Sequence, residues 1–177
     1  MDRSERQPVV LVGVGGSGAA VAALVWAARE AHRRDAGLRI IQAWQPYPAR
    51  ALYAGTGRGR TGQTSREAAA DGLATHVRAA LGDSTRIELV TEVVEGAPER
   101  VLAAASGDAD LLVLGAGKQS PVAHVDPLIV DRPVGPVIRA CLSHARCPVV
   151  IIGPATAERL DIGDRELATT APAAARG

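Results

Sequence analysis

The chain has 177 residues, which is enough for one domain with a buried core and too few for two domains of ordinary size. Aromatic residues make up only 2% and the net charge is +1, so neither stacking rings nor a basic field is present to attract nucleic acid. No run of about 18 apolar residues and no signal-peptide pattern occurs, so we expect a cytoplasmic protein without a membrane span. Cys141 and Cys147 lack the spacing of a zinc or redox pair and are predicted to be buried thiols.

The first part of the chain predicts two buried strands with a helix between them. Residues 8–13 (PVVLVG) form a continuous apolar run that ends in glycine, as in a strand covered on both faces. Apolar residues at helical spacing follow, and Ser17 is placed to cap that helix. Residues 38–44 (LRIIQAW) then give a second buried strand.

The rest of the chain continues the same alternation. A helix is predicted from a capping box at Thr64 and Glu67 to a stop at Gly82, and another between an initiating Pro98 and a terminating Gly107. A strand is predicted at 86–94, where the alternation of apolar and polar residues is typical of the edge of a sheet. Two further strands are predicted at 109–115 and 147–153, with a helix between them at 135–145.

This order predicts an α/β fold: a single doubly wound domain whose five-stranded, mostly parallel sheet has helices on both faces. We assign it to residues 8–154, after a flexible segment at 1–7 and before a disordered tail at 155–177. Such sheets bind ligands beyond the carboxyl ends of the strands, where the winding reverses. With strand order 3-2-1-4-5, the glycine-rich turns at 13–18 and 115–117 are neighbours at one cleft.

The first of these turns contains Gly13-x-Gly15-x-x-Gly18, the dinucleotide-binding pattern. Glycine permits a sharp turn or a close approach to phosphate, so an empty turn and a phosphate site are both open readings. Dinucleotide-binding proteins also carry an acidic residue about 20 positions further on, at the end of the second strand. That strand here ends in IIQAWQP, which counts against a nicotinamide or flavin enzyme.

Three segments, VGVGGS, DADLLVLGAG and HARCPVVIIG, resemble the universal stress protein family, and the similarity extends over residues 9–154. The resemblance implies the 3-2-1-4-5 sheet and a non-enzymatic role in stress responses, exerted through protein partners. It also implies a homodimer formed through the last strand, at Val149, Val150, Ile151 and Ile152.

Some members of this family bind ATP through G-x-x-G, nine residues, then G-[S/T], with an aspartate in the first turn. Gly115 and Gly135 match the first and third glycines of that pattern. Gly15 replaces the aspartate, Lys118 the second glycine and Pro136 the hydroxyl residue, and 16 residues stand where the pattern has nine. Gly15 offers no carboxylate, and Pro136 offers neither a hydroxyl nor an N–H, so the resemblance implies weak or lost ATP binding.

ATP is therefore the candidate cofactor, and two alternatives stay open: an ATP-binding sensor, and an enzyme that uses nicotinamide or hydrolyses a nucleotide. We predict no catalytic residue and no metal site, because His124, Asp126 and Asp131 match no ligand spacing. Trp44 is either a packing residue or the edge of an adenine pocket. The residues predicted to surround a nucleotide are Gly13, Val14, Gly15, Ala43, Gly115, Gly117, Lys118, Gly135, Pro136 and Val137.

Overall fold

The computed structural model describes residues 6–15, 19–46, 66–82, 87–116 and 135–153, with Thr156 and Arg159. Within these residues, five strands alternate with four α-helices. The elements are β1 (Val9–Val14), α1 (Ala19–Arg34), β2 (Gly37–Trp44), α2 (Arg66–Leu81), β3 (Leu89–Glu95), α3 (Pro98–Ala105), β4 (Leu111–Gly115), α4 (Pro136–His144) and β5 (Val149–Ile152), and a 3₁₀ turn at Ser106–Asp108 follows α3.

The strands form one sheet in the order β3-β2-β1-β4-β5, and every pair is parallel. This confirms the predicted doubly wound fold and the edge position of β3. Strand β1 is central, with Val14 opposite Gln42 of β2 and Gly13 opposite Leu114 of β4. Because all strands run in one direction, their carboxyl ends meet at a single edge of the sheet.

Helices α1 and α2 cover one face of the sheet. Side chains at alternate positions of the strands point to that face, among them Val12, Ile40 and Val113, and none of these is exposed. Helix α1 meets them with a stripe of small residues that includes Ala23 and Ala27, so its backbone lies close to the sheet. Alanine on the helix and branched aliphatic residues on the strands thus build the buried centre of this core, and Trp26 packs against it as a partly buried residue.

Helices α3 and α4 cover the opposite face, over Leu11, Ile41 and Leu112. Ser106, buried at the end of α3, stabilises this layer. Its hydroxyl donates a hydrogen bond to the Ala103 carbonyl (2.7 Å) and accepts one from the Arg146 N–H (2.9 Å). The end of α3 is thereby tied to the segment that leads into β5.

Proline and glycine mark the helix ends largely as expected. Pro98 and Pro136 lie in the first turns of α3 and α4, and Gly82, with φ of +66°, ends α2 by donating its N–H to the Arg78 carbonyl (3.0 Å). Gly107 differs from the prediction. It lies inside the 3₁₀ turn, because the chain tightens after Ala105 before it enters β4.

Some predictions concern residues outside the described part of the chain: Ser17 as a cap, Thr64 in a capping box, and nearly all of the tail at 155–177. Arg6 belongs to the segment predicted to be flexible. Its guanidinium donates hydrogen bonds to the Asp110 carboxylate (3.3 Å) and to the Asp108 carbonyl. No helix in the described ranges is long and apolar enough to cross a membrane.

Candidate functional site

A cavity of about 220 Å³ lies at the carboxyl ends of β1, β2 and β4, on the sheet face that α3 and α4 cover. This is where the winding of the sheet reverses, the expected ligand position in a doubly wound fold. The strand side is formed by Gly13, Val14, Gly15, Ile41, Ala43, Leu114 and Gly115, and the helix side by Ala20, Pro98, Leu102, Val137 and Ile138.

Gly13 lies at the base of the cavity for a packing reason. A Cβ atom at this position would lie 2.8 Å from Cδ1 of Leu102 and 2.9 Å from Cδ2 of Leu114, which is closer than carbon atoms approach. Gly13 therefore lets the α3 side chain Leu102 settle onto the sheet.

Gly115 has a different structural role, on the opposite face of the sheet. A Cβ atom there would lie 2.5 Å from the carbonyl oxygen of Ala19, at the start of α1. Glycine at the end of β4 thus allows the first turn of α1 to approach the strand. The sequence pattern alone does not distinguish this requirement from a phosphate-binding role.

Gly15 is unlike both, because no heavy atom of the described residues lies within 4 Å of the position a Cβ would occupy. Its backbone is also not in the left-handed region, which among the described glycines is adopted by Gly82 and Gly96. Packing therefore does not demand glycine at residue 15. Within the described ranges, nothing blocks the first carbon of a side chain at residue 15.

The cavity wall carries no charged side chain among the residues that the structure describes. Helix α4 begins next to it, with Gly135 as the N-cap residue and Pro136 in the first turn, and no side chain caps this end. Within the same described ranges, no group of three or more His, Cys, Asp or Glu residues is arranged to hold a metal ion. What the wall offers is apolar surface together with peptide groups at the strand ends.

The structure brings together six of the residues predicted to surround a nucleotide: Gly13, Val14, Gly15, Ala43, Gly115 and Val137. Pro136 immediately precedes Val137, the wall residue of α4, and Gly135 lies one position earlier still. Gly117 and Lys118 fall outside the described residues, as do His124, Asp126 and Asp131.

Sequence reasoning missed the apolar half of the wall, including Ile41, Leu102 and Ile138. The usable signal was strand alternation, since Ile41 lies two residues before Ala43 and shares its face. The same alternation puts Trp44 on the other face, together with the buried Gln42. Trp44 is absent from the cavity wall, which favours its packing role over the adenine-edge alternative.

The two cysteines are both free, and they differ in burial. Cys141 is a fully buried residue of α4, and burial, helped by the negative charge of Glu99, raises the pKa of its thiol to about 11. Because the thiolate is the nucleophilic form, this side chain is unreactive near neutral pH. Cys147 is half-buried, so the prediction of a buried thiol holds fully for Cys141 alone.

A parallel sheet in the order β3-β2-β1-β4-β5, with helices on both faces and a small apolar cleft at its switch point, defines an α/β protein of the doubly wound class. The sequence pattern of the Universal stress protein family matches residues 8–153, and the chain belongs to that family. It is 32% identical over 165 residues to the universal stress protein Rv2028c of Mycobacterium tuberculosis, covering 92% of this chain and 53% of that protein. It is 35% identical over 149 residues to Rv3134c of the same organism, covering 84% and 50%. The chain thus spans about half the length of these curated relatives.

Solved structures agree on the fold. A universal stress protein in complex with cAMP superimposes with a TM-score of 0.55 at 21% identity, over 82% of this chain and 96% of that one. The universal stress protein from Archaeoglobus fulgidus in complex with dAMP gives 0.54 at 19% identity, over 82% and 97%. At these identities the likeness establishes the shared fold.

Proposed function

We propose that this chain is a cytoplasmic, non-enzymatic stress-response module whose cleft has weak or no affinity for ATP. It acts through protein partners as a homodimer joined at the β5 edge. Family membership supports the stress-response role. The observation that carries the weak ATP affinity is the cavity wall, which has the shape of a ligand site but no charged side chain among the described residues.

Two features of the site support weak ATP binding in particular. Gly15 occupies the position of the aspartate in ATP-binding relatives, so the carboxylate is missing. Pro136 occupies the position of their serine or threonine, so the hydroxyl is missing as well. A hydrogen bond to a charged group contributes about 1.5–3 kcal/mol, and about 1.4 kcal/mol corresponds to a tenfold change in affinity. Losing two such bonds moves a micromolar site towards millimolar affinity or beyond.

An adenine-nucleotide sensor is the second candidate. It is favoured by the two structural neighbours whose complexes contain cAMP and dAMP, together with a cavity at the switch point of this chain. An enzyme that uses nicotinamide is supported less. Strand β2 ends at Ala43 and Trp44 without the carboxylate that would hold the ribose.

The test is a thermal unfolding experiment with millimolar ATP and magnesium, performed on the wild type and on Gly15→Asp. We expect no measurable shift for the wild type. For the variant we expect a rise in Tm of several degrees, since a ligand at 100 times its Kd adds about 2.7 kcal/mol and each kcal/mol raises Tm by about 2–4 °C.

Gly153→Asp is the matched control. Gly153 also has no heavy atom of the described residues within 4 Å of its Cβ position and no positive φ, but it is not part of the cavity wall. We expect this variant to respond to ATP as the wild type does. A clear ATP shift in the wild type would overturn the proposal and favour the sensor.

A further inference from the structure

A groove of about 700 Å³ lies between helix α2 and the edge strand β3. It shares no lining residue with the cavity at the carboxyl ends of the strands. On the helix side, Ala70, Leu73, Ala74 and Val77 form one stripe, in which Leu73 is buried and both alanines are exposed. Because alanine is small, this stripe leaves space beside β3. We call this space the α2–β3 groove.

The backbone of β3 presents hydrogen-bonding groups beside the groove. The Leu38 N–H of β2 donates to the Glu88 carbonyl (2.8 Å), so even-numbered residues along β3 direct their peptide groups towards β2. Thr91 and Val93 are odd-numbered, so their N–H and C=O groups point away from β2, to the open side of this edge strand. Their side chains both line the groove. Backbone donors and acceptors therefore lie next to an apolar surface.

This combination fits an extended peptide. A peptide that adds to a sheet edge gains affinity from main-chain hydrogen bonds and specificity from alternate side chains. In antiparallel addition, the residue opposite Thr91 exchanges two hydrogen bonds with it and places its own side chain on the same face, in the groove. The residue opposite Val93 does the same. The two groove-facing residues of the peptide are thus two positions apart, and β-branched aliphatic residues suit them best.

Charges on the groove wall favour one further residue in the peptide. A short connection joins the end of α2 to the start of β3, so the last turn of the helix lies near the start of that strand. Arg78 lines the groove at this end, and no ion pair within the described ranges engages it. Arg66 and Glu67 lie together at the other end, where their charges offset each other. An acidic residue of the peptide is therefore favoured beside Arg78.

We infer that the α2–β3 groove binds an extended segment of a partner protein as a strand antiparallel to β3. The segment has two aliphatic residues at alternate positions, followed by an acidic residue. This inference rests on the proposed action through protein partners, and it gives them a site separate from the cleft and from the β5 edge. Glu92 and Glu95 oppose the pairing of β3 with a second copy of itself, because like charges would come together. A partner of different sequence avoids that repulsion.

Fluorescence anisotropy of the labelled peptide Thr-Val-Thr-Val-Thr-Glu, titrated with the full chain, tests the inference. We expect saturable binding that is lost when both valines are N-methylated. N-methylation of the threonine that follows each valine should leave binding unchanged, since those amides face away from β3. Absence of binding at millimolar concentration of the chain would overturn the inference. So would an equal effect of the two methylation patterns.

Ala74→Phe places a large side chain in the groove, and Ala79→Phe makes the same change at an exposed position of α2 outside it. We expect peptide binding to be lost in the first variant and retained in the second. Both positions are exposed, so neither substitution disturbs the core. Unaltered binding to Ala74→Phe contradicts the inference.

Arg78→Glu tests the end of the groove at which the acidic residue lies. We expect this variant to bind the peptide at least about fivefold more weakly, and a peptide with lysine in place of the glutamate to regain that loss. Arg100→Glu makes the same charge change at an exposed position of α3 and should alter neither affinity. Equal effects of the two substitutions would contradict the assigned position of the acidic residue.

The proposed dimeric module fails separately from this inference. A chain that is monomeric by light scattering but binds the peptide discards the dimer and keeps the groove. A dimer that binds no peptide keeps the assembly and discards the groove as the partner site. A dimer joined through β3 also overturns the inference, because the second copy would occupy this edge.

Discussion

Glycine residues at the cleft look equivalent in the sequence, yet they meet different demands in the structure. Gly13 makes room for Leu102, and Gly115 makes room for the backbone at Ala19, whereas a Cβ at Gly15 would contact none of the residues that the structure describes. Two of these glycines are thus explained by packing between a helix and the sheet. A glycine-rich pattern is therefore weak evidence for phosphate binding, because close packing and phosphate approach both exclude a Cβ.

Gly115→Ala tests this distinction. The added methyl group would lie 2.5 Å from a backbone oxygen of α1, which cannot rotate away as a side chain would. We expect a loss of about 1–3 kcal/mol in the free energy of unfolding, measured by urea denaturation.

Gly15→Ala is the comparison at the same edge of the sheet. Its methyl group meets no heavy atom within 4 Å in the described part of the chain, and the backbone there has no positive φ. We therefore expect the substitution to be neutral or to stabilise by about 0.4–1 kcal/mol, by reducing the conformational entropy of the unfolded chain. Equal effects of the two substitutions would show that packing against α1 does not explain the glycine at residue 115.

At the scale of elements, an ion pair joins β2 to the edge strand β3. Arg39 donates two hydrogen bonds to Glu92, at 2.6 Å from Nε and 3.0 Å from Nη2. The hydrogen bonds from Arg39 lower the pKa of the Glu92 carboxyl. A lowered pKa in the folded state means that the pair stabilises the fold above the pKa of the unfolded carboxyl. That contribution disappears as the pH falls through the folded value.

Glu92→Gln removes the charge with little change in shape. Both side chains remain about 30% exposed (29% and 33%), so we expect a loss below about 1 kcal/mol at pH 7. The difference from the wild type should vanish in acid, once the carboxyl is protonated. Urea denaturation at both pH values measures it, with the exposed Glu88→Gln as control. A deficit that persists in acid would indicate a packing role for Glu92 instead of an electrostatic one.

Element types followed from sequence because each has a local cause. Apolar runs predicted the buried strands, Pro98 opened α3, and Gly82 closed α2 with a positive φ. The cavity wall was predictable only in part. Gly13 and Ala43 lie in the glycine turn and at a strand end, whereas Leu102 and Ile138 reach the site through packing of two helices that are far apart in sequence. Such contacts depend on the tertiary fold, which no local pattern encodes.

At the scale of the whole molecule, the sheet has two edges, and each has an exposed apolar side chain. Ile151 of β5 is 37% exposed, and Leu142 of α4, on the same side of the sheet, is 53% exposed. At the opposite edge, Val90 of β3 is 45% exposed. An open strand edge with apolar side chains is suited to pairing with another strand, and natural proteins block such edges with charges. In β3, Glu92 and Glu95 supply such charges, whereas β5 (VVII) has none.

Ile151→Lys therefore tests where the proposed dimer forms. A lysine in β5 places a positive charge beside its symmetry mate in a two-fold interface, so like charges meet and the apolar contact is lost. We expect light scattering to give the mass of two chains for the wild type and of one chain for the variant.

Val90→Lys makes the corresponding change at the β3 edge and should leave the dimer intact. If Val90→Lys dissociates the dimer while Ile151→Lys does not, the chains pair through β3. If the wild type is itself a monomer, neither edge mediates self-association, and the proposed module acts as a single chain.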